Sequence, residues 1–222
     1  MNRFLKYCFA LVSVIIIGSC TSSNKEQFTY FGGKIIHPKS DFVLLYKNDK
    51  LIDSLFLDQD DKFIGSYKNF EEGFYYFIHG NENQYIYFEP KDSISIRLNT
   101  WDFDESLVFA GKGAERNNIL IDIFLEDENE RTLFYKLNRL SPNKYQEKVD
   151  SIIDVRLETY KEYIEKHPNE TDSYFKILKT ALTYTIYSRA ERYPTNHVYS
   201  LRKKDFPEIN SSFYNYRKNV YQ

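Results

Sequence analysis

The hydrophobic period of this chain changes once, at Gly113, and that change limits its fold more than any other feature. From Phe28 to about Ala110, apolar residues come in short runs with alternating faces; after Gly113 they recur about every 3.6 residues. Strands come first and helices follow, which predicts an α+β chain with a β domain over 28–113 and a helical region over 114–222.

The expected strands are Phe28 to Ile36, Phe42 to Tyr46, Leu51 to Leu57, Lys62 to Tyr67, Gly73 to Ile78, Gln84 to Phe88, Ser93 to Leu98 and Leu107 to Ala110. Between them lie segments carrying Gly, Pro, Asn or Asp, whose backbone preferences suit reversals. Ser93 to Leu98 is the clearest alternation, with Ile94, Ile96 and Leu98 on one face and polar residues on the other. Eight short runs at this spacing predict an antiparallel β-sandwich rather than a lone sheet. Asp58, Asp60 and Asp61 are expected to form a hairpin turn.

In the helical region the first segment runs from Ala114 to Phe124 and on towards Leu137, with Ile119, Leu120, Ile123 and Phe124 at helical offsets. Its acidic stretch, Glu126 to Glu130, is expected to be solvated. Ser141-Pro142 suits a helix start, because Ser can cap the free amides and Pro fits the first turn. The stripe Tyr145, Val149, Ile152, Ile153, Leu157, Tyr160 and Ile164 then continues until His167-Pro168. A further helix from about Asp172 to Arg192 should end before Pro194 and pack on its predecessor as an antiparallel hairpin. A short last helix is expected from Ser211, with Phe213, Tyr216 and Val220 on one side.

Composition excludes several classes. The 20 Tyr and 18 Phe supply more apolar area than a disordered tail contains. A net charge of -2 argues against a surface that neutralises phosphates, so no nucleic-acid partner is expected. The four His show no ligand spacing, and the acids around Trp101 lack the turn glycine of a calcium loop, so neither metal nor cofactor is expected. Gly111-Lys112-Gly113 lacks the phosphate-loop pattern and is read as a strand-to-helix bend.

Residues 1–19 have the layout of a secretory signal peptide: Arg3 and Lys6, an apolar stretch from Tyr7 to Ile17, then small residues. The stretch is shorter than the roughly 20 residues that span a bilayer. Ile17-Gly18-Ser19-Cys20 resembles a bacterial lipobox, which implies lipidation of Cys20 and a mature chain starting there, tethered by residues 20–27. With no Asp after Cys20, the expected location is the cell envelope, at the outer membrane and facing the periplasm. The two cysteines of the chain are Cys8 and Cys20. One leaves with the signal peptide and the other is acylated, so the mature domain is expected to have no thiol for a disulfide, a C-x-x-C centre or a thiolate metal site.

The segments Phe88-Glu89-Pro90-Lys91-Asp92-Ser93-Ile94-Ser95-Ile96 and Phe103 to Asn118, with Gly111-Lys112-Gly113-Ala114-Glu115-Arg116-Asn117-Asn118, resemble the N-terminal region of bacterial envelope lipoproteins that carry a C-terminal thioredoxin-like domain. The resemblance implies a non-catalytic sandwich and helical segment serving a thiol-disulfide oxidoreductase as spacer or partner-binding region. The redox domain and its cysteines are absent here, so no catalytic residue carries over. The chain is then a truncated product or a stand-alone version of the non-catalytic part, and the open-ended last helix favours truncation.

A different reading starts from the aromatic runs Phe74 to Phe77 and Tyr85 to Phe88. Alternate rings of a strand face opposite ways, so some must leave the core. Tyr75, Tyr76, Tyr85, Tyr87 and Trp101 are the candidate binding aromatics for a glycan or peptide. The simpler expectation is that the helical hairpin covers that outer face.

Overall fold

The computed structural model describes residues 28–220. The expected signal peptide, Cys20 and the tether lie outside the described residues. Strands β1 (Phe28–Ile36), β2 (Phe42–Lys47), β3 (Lys50–Phe56), β4 (Lys62–Lys68), β5 (Gly73–His79), β6 (Glu82–Phe88), β7 (Ser93–Asn99) and β8 (Val108–Lys112) precede helices α1 (Ala114–Leu137), α2 (Pro142–Lys166) and α3 (Asp172–Leu201). The fold is α+β, a β-sandwich followed by helices.

The strands form two four-stranded sheets, β4-β1-β7-β8 and β3-β2-β5-β6. One pairing departs from the antiparallel expectation: β1 and β7 run parallel, with Phe31 opposite Ile94 and Ile35 opposite Leu98. The aspartates 58, 60 and 61 also form no hairpin, because β3 and β4 belong to different sheets. Their turn carries the chain across the sandwich, with the Asp58 carboxylate accepting from the amides of Asp60 and Lys62.

Both sheets turn alternate residues inward, and aromatic rings fill the space between them. Phe31 meets Phe63 and Phe88 edge-on, with centroids 5.2 and 5.6 Å apart, the geometry that ring quadrupoles favour. Val43, Leu45, Ile86, Ile94, Ile96 and Leu98 complete a buried core.

Gly111 and Gly113 make the bend out of β8, both with φ in the left-handed region. A side chain on Gly111 would run into the Ser93 carbonyl, and one on Gly113 would enter the space of the Asp92 carboxylate and the Arg116 guanidinium. The bend therefore brings the start of α1 against the β6–β7 turn.

The three helices form an up-down-up bundle. Tyr163 lies against Tyr174, and Tyr145 against Tyr193, so α2 and α3 are antiparallel as expected. Two details of the helix ends differ from expectation. The Ser141 side chain makes no cap hydrogen bond, whereas the Thr171 hydroxyl at the start of α3 accepts from the Tyr174 amide. Pro194 does not end α3, which continues to Leu201. Buried side chains on either side hold the helix together there: the Tyr193 hydroxyl donates to the Leu140 carbonyl, and the His197 ring bonds the Asn138 carbonyl. These anchors offset the roughly 3 kcal/mol a mid-helix proline costs.

The acidic stretch lies within α1, and part of it is covered. Arg156 pairs with Glu126, Asp127 and Glu130, and Arg189 pairs with Glu130. After α3 the chain makes a 3-10 turn (Ser211–Tyr214) and a short helix α4 (Arg217–Val220). Phe213 is buried against Tyr145 and Tyr193, and Arg217 pairs with Glu191. The side chain of Val220 lies outside the described residues.

Candidate functional site

Strand directions sort the loops into two groups. The start of β1, the ends of β6 and β8 and the start of β7 lie at one end of the sandwich, where the helices attach. Residues 37–41, 57–61, 80–81 and 100–107 lie at the opposite end.

At the attachment end a buried ion centre joins sandwich to helices. Arg116, in the first turn of α1, reaches Asp92 at 2.6 Å, Glu89 at 3.2 Å and Glu170. Asp92 and Glu89 belong to the β6–β7 turn, while Glu170 precedes α3, so one guanidinium ties three segments. Burial opposes the charge on Arg116, but its hydrogen bonds to Asp92 and Glu170 prevail and raise its pKa. Burial also raises the Glu89 carboxyl, with Arg116 pulling the other way.

Beside this centre, the Asn117 side chain closes on β6 like a missing strand. Its Oδ1 accepts from the Tyr87 amide at 2.6 Å, and its Nδ2 donates to the Tyr87 carbonyl at 2.9 Å. The Tyr87 hydroxyl donates to Glu72, which holds that carboxyl below its ordinary value. Burial and then Glu72 push Tyr87 itself up to about 12. Tyr174 packs on Tyr87 with centroids 5.3 Å apart, and its hydroxyl donates to the Arg116 carbonyl. None of Arg116, Asn117, Glu72 or Glu170 is a candidate on sequence grounds. The available signal is Arg116-Asn117, an ionic and an amide residue leading into an apolar helix face right after a glycine bend.

The candidate aromatics divide accordingly. Tyr75 points inward and is fully enclosed with Phe70 and Phe88, which removes it as a ligand contact. Tyr87 faces outward but lies beneath Tyr174, which removes it too. Tyr76 and Tyr85 stay accessible on the outer face of their sheet, Tyr85 at 62% exposure. They belong to a continuous cross-strand row, Leu51, Tyr46, Tyr76 and Tyr85, given by the register of all four strands. Tyr46 and Tyr76 are parallel within 3° at 5.1 Å, and the Tyr76 hydroxyl donates to Asp49. The helices thus cover the outer face at Tyr87 and leave Tyr76 and Tyr85 accessible.

Trp101 sits elsewhere, in the loop after β7 at the far end of the other sheet. It is 71% exposed and stacked on His37 at 3.7 Å, with Asn99 Oδ1 accepting from its amide. Trp101 and the tyrosine row do not share a surface.

The same far end holds a neutral histidine. His79 Nε2 accepts from the Lys39 amide at 2.9 Å, which leaves Nδ1 to carry the proton facing the Phe42 carbonyl at 3.0 Å. A second proton would destroy the Lys39 bond, and burial depresses the His79 pKa. The unfolded chain then takes up the proton first, so stability falls as pH drops through the ordinary histidine value of about 6.5. Urea midpoints between pH 7.5 and 5.5 should fall more steeply for the native chain than for His79→Asn; parallel curves would contradict this assignment.

Among the described residues no group of side chains could hold a metal ion, and no helix is long and apolar enough to cross a membrane. Compared with family models, curated proteins and solved structures, the chain matches none of them.

Proposed function

We propose that this chain is the non-catalytic spacer or partner-binding region of a cell-envelope lipoprotein, held at the outer membrane by lipid on Cys20 and serving a thioredoxin-like domain or another envelope protein. The observation that carries the reading is the Arg116 centre. A spacer must transmit position, and one buried guanidinium bonded to both the β6–β7 turn and the α2–α3 connection makes sandwich and helices move together. Thr29 and Tyr30 hydrogen-bond that same turn, so a tether ending at Phe28 would enter beside the joint.

Metabolic labelling with tritiated palmitate tests the anchor. The full chain in a Gram-negative host should carry label and sediment with outer membranes, and Cys20→Ser should lose both. Label retained by Cys20→Ser would refute the anchor.

The accessible tyrosine row favours a second reading, in which the outer sheet face itself takes an oligosaccharide or an extended peptide. Calorimetric titration with cell-wall oligosaccharides or peptides should then give heat that Tyr85→Ala abolishes, while stability changes by less than about 0.5 kcal/mol because the ring is exposed. Equal heats from both proteins would refute it.

A further inference from the structure

The far tip of the helical bundle, some 45 Å along α3 from the sandwich, holds an open groove of about 900 Å³. Its walls are the last turns of α1 and α3 and the segment behind them. Two kinds of side chain dominate. Arg139, Arg202 and Lys203 supply three cations, and Tyr135, Tyr199 and Phe206 supply three rings that are 64%, 85% and 67% exposed. Among the described residues no carboxylate lines the groove.

The cations differ from seven others on the bundle, although Lys136, Lys144 and Lys148 likewise stand in no ion pair among the described residues. Arg116, Arg131, Arg156, Lys161, Lys166, Arg189 and Arg217 all stand in ion pairs, whereas none joins Arg139, Arg202 or Lys203 among the described residues. The nearest polar partner of Lys203 is the His197 ring at 3.5 Å. Positive charge at a helix C-terminus complements the helix dipole, which accounts for part of this placement. It does not account for three large rings left in solvent around the same opening.

Backbone acceptors complete the lining. The end of α3 is closed by Lys203 donating to the Val198 carbonyl and Arg202 to the Tyr199 carbonyl, with Arg202 at φ 53 where glycine is usual. The carbonyls of Ser200 and Leu201, both groove residues, accept no hydrogen bond among the described residues. They can accept from peptide N–H groups, which neither an inorganic anion nor a lipid phosphate offers. Cations for carboxylates, rings for apolar side chains and free carbonyls for amides are together the requirements of an acidic peptide.

We propose that this groove binds an acidic, aromatic-containing peptide segment of a partner protein. The proposal rests on the reading of the chain as a partner-binding region, but its failure would leave the palmitate result for Cys20 untouched.

Fluorescence anisotropy with a fluorescein-labelled ten-residue peptide alternating Asp and Phe tests it on the full chain in non-ionic detergent. Saturable binding is expected, weakening with salt and falling about tenfold or more in Arg202→Gln/Lys203→Gln, as loss of close charge pairs across an interface predicts. Tyr199→Ala should weaken it as well, without altering far-UV circular dichroism. A Lys/Phe peptide binding equally, no saturable binding, or unchanged affinity in both variants would overturn the proposal. Displacement of the peptide by inorganic phosphate or dihexanoyl-phosphatidylglycerol at similar concentrations would overturn it in favour of a simple anion or a lipid headgroup.

Discussion

Replacing Arg116 by Met should lower the free energy of unfolding by about 3–5 kcal/mol, the range seen when one member of a buried ion cluster is removed and its partner stays charged. Asp92 is the reason for so large an effect. It is completely enclosed, and its nearest cation is the Arg116 guanidinium at 2.6 Å. Without Arg116 its charge is left in a medium that solvates it poorly. Glu89 and Glu170 face the same vacancy, both largely covered. Adding Asp92→Asn to the Arg116→Met chain should recover part of the loss, since the orphaned charge disappears. Arg116→Lys should fall between, because an ammonium cannot present a planar fork to several carboxylates at once. Urea denaturation measures all three, and a loss below about 1 kcal/mol for Arg116→Met would mean that the cluster is far better hydrated than its burial implies.

Tyr174→Ala should cost a similar amount, about 3–5 kcal/mol, as large-to-small changes of buried aromatic residues do. Tyr174 is fully buried between Tyr87 on the sheet and Tyr163 on α2, so its removal leaves a cavity on the surface where the two layers meet. Tyr174→Phe keeps the ring and loses only the hydroxyl bond to the Arg116 carbonyl, worth about 1 kcal/mol. A near-equal loss for Ala and Phe would show that the hydrogen bond, not the packing, holds α3 to the sheet. Hydrogen exchange should detect the Ala variant first at the amides of β6 and the start of α1, the segments that Tyr174 covers.

Strand positions were legible in the sequence because turn chemistry is local. Asn48, Asp49, Asp61 and Asn69 adopt positive φ at reversals, a backbone form that Asn and Asp tolerate, and the runs between them became strands within two residues of expectation. The parallel β1–β7 pair was not legible, since alternation tells which face of a strand is apolar but not which strand lies beside it. Pro194 misled for a related reason. A rule about the backbone predicts a break, and the buried contacts of Tyr193 and His197 that override it come from residues more than fifty positions away.

The candidate site was half legible. Alternation required some of the Tyr and Phe side chains to leave the core, and Tyr76 and Tyr85 did. It could not show that Tyr75 faces inward, nor that α3 would cover Tyr87 and leave Tyr85 bare. The Arg116 centre stayed hidden because its members are spread from Glu89 to Glu170, and ionic residues far apart in sequence give no periodic signal.

The most direct test of a rigid joint between sandwich and helices is one urea titration followed with two probes. The chain's single Trp, Trp101, lies in the sandwich, so its fluorescence reports that layer, while ellipticity at 222 nm reports mainly the helices. A joint fixed by Arg116 and Tyr174 predicts that both signals change together in one transition. Helical signal lost at a lower urea concentration than the fluorescence change would mean that the bundle swings or melts independently of the sandwich, and the account would be wrong.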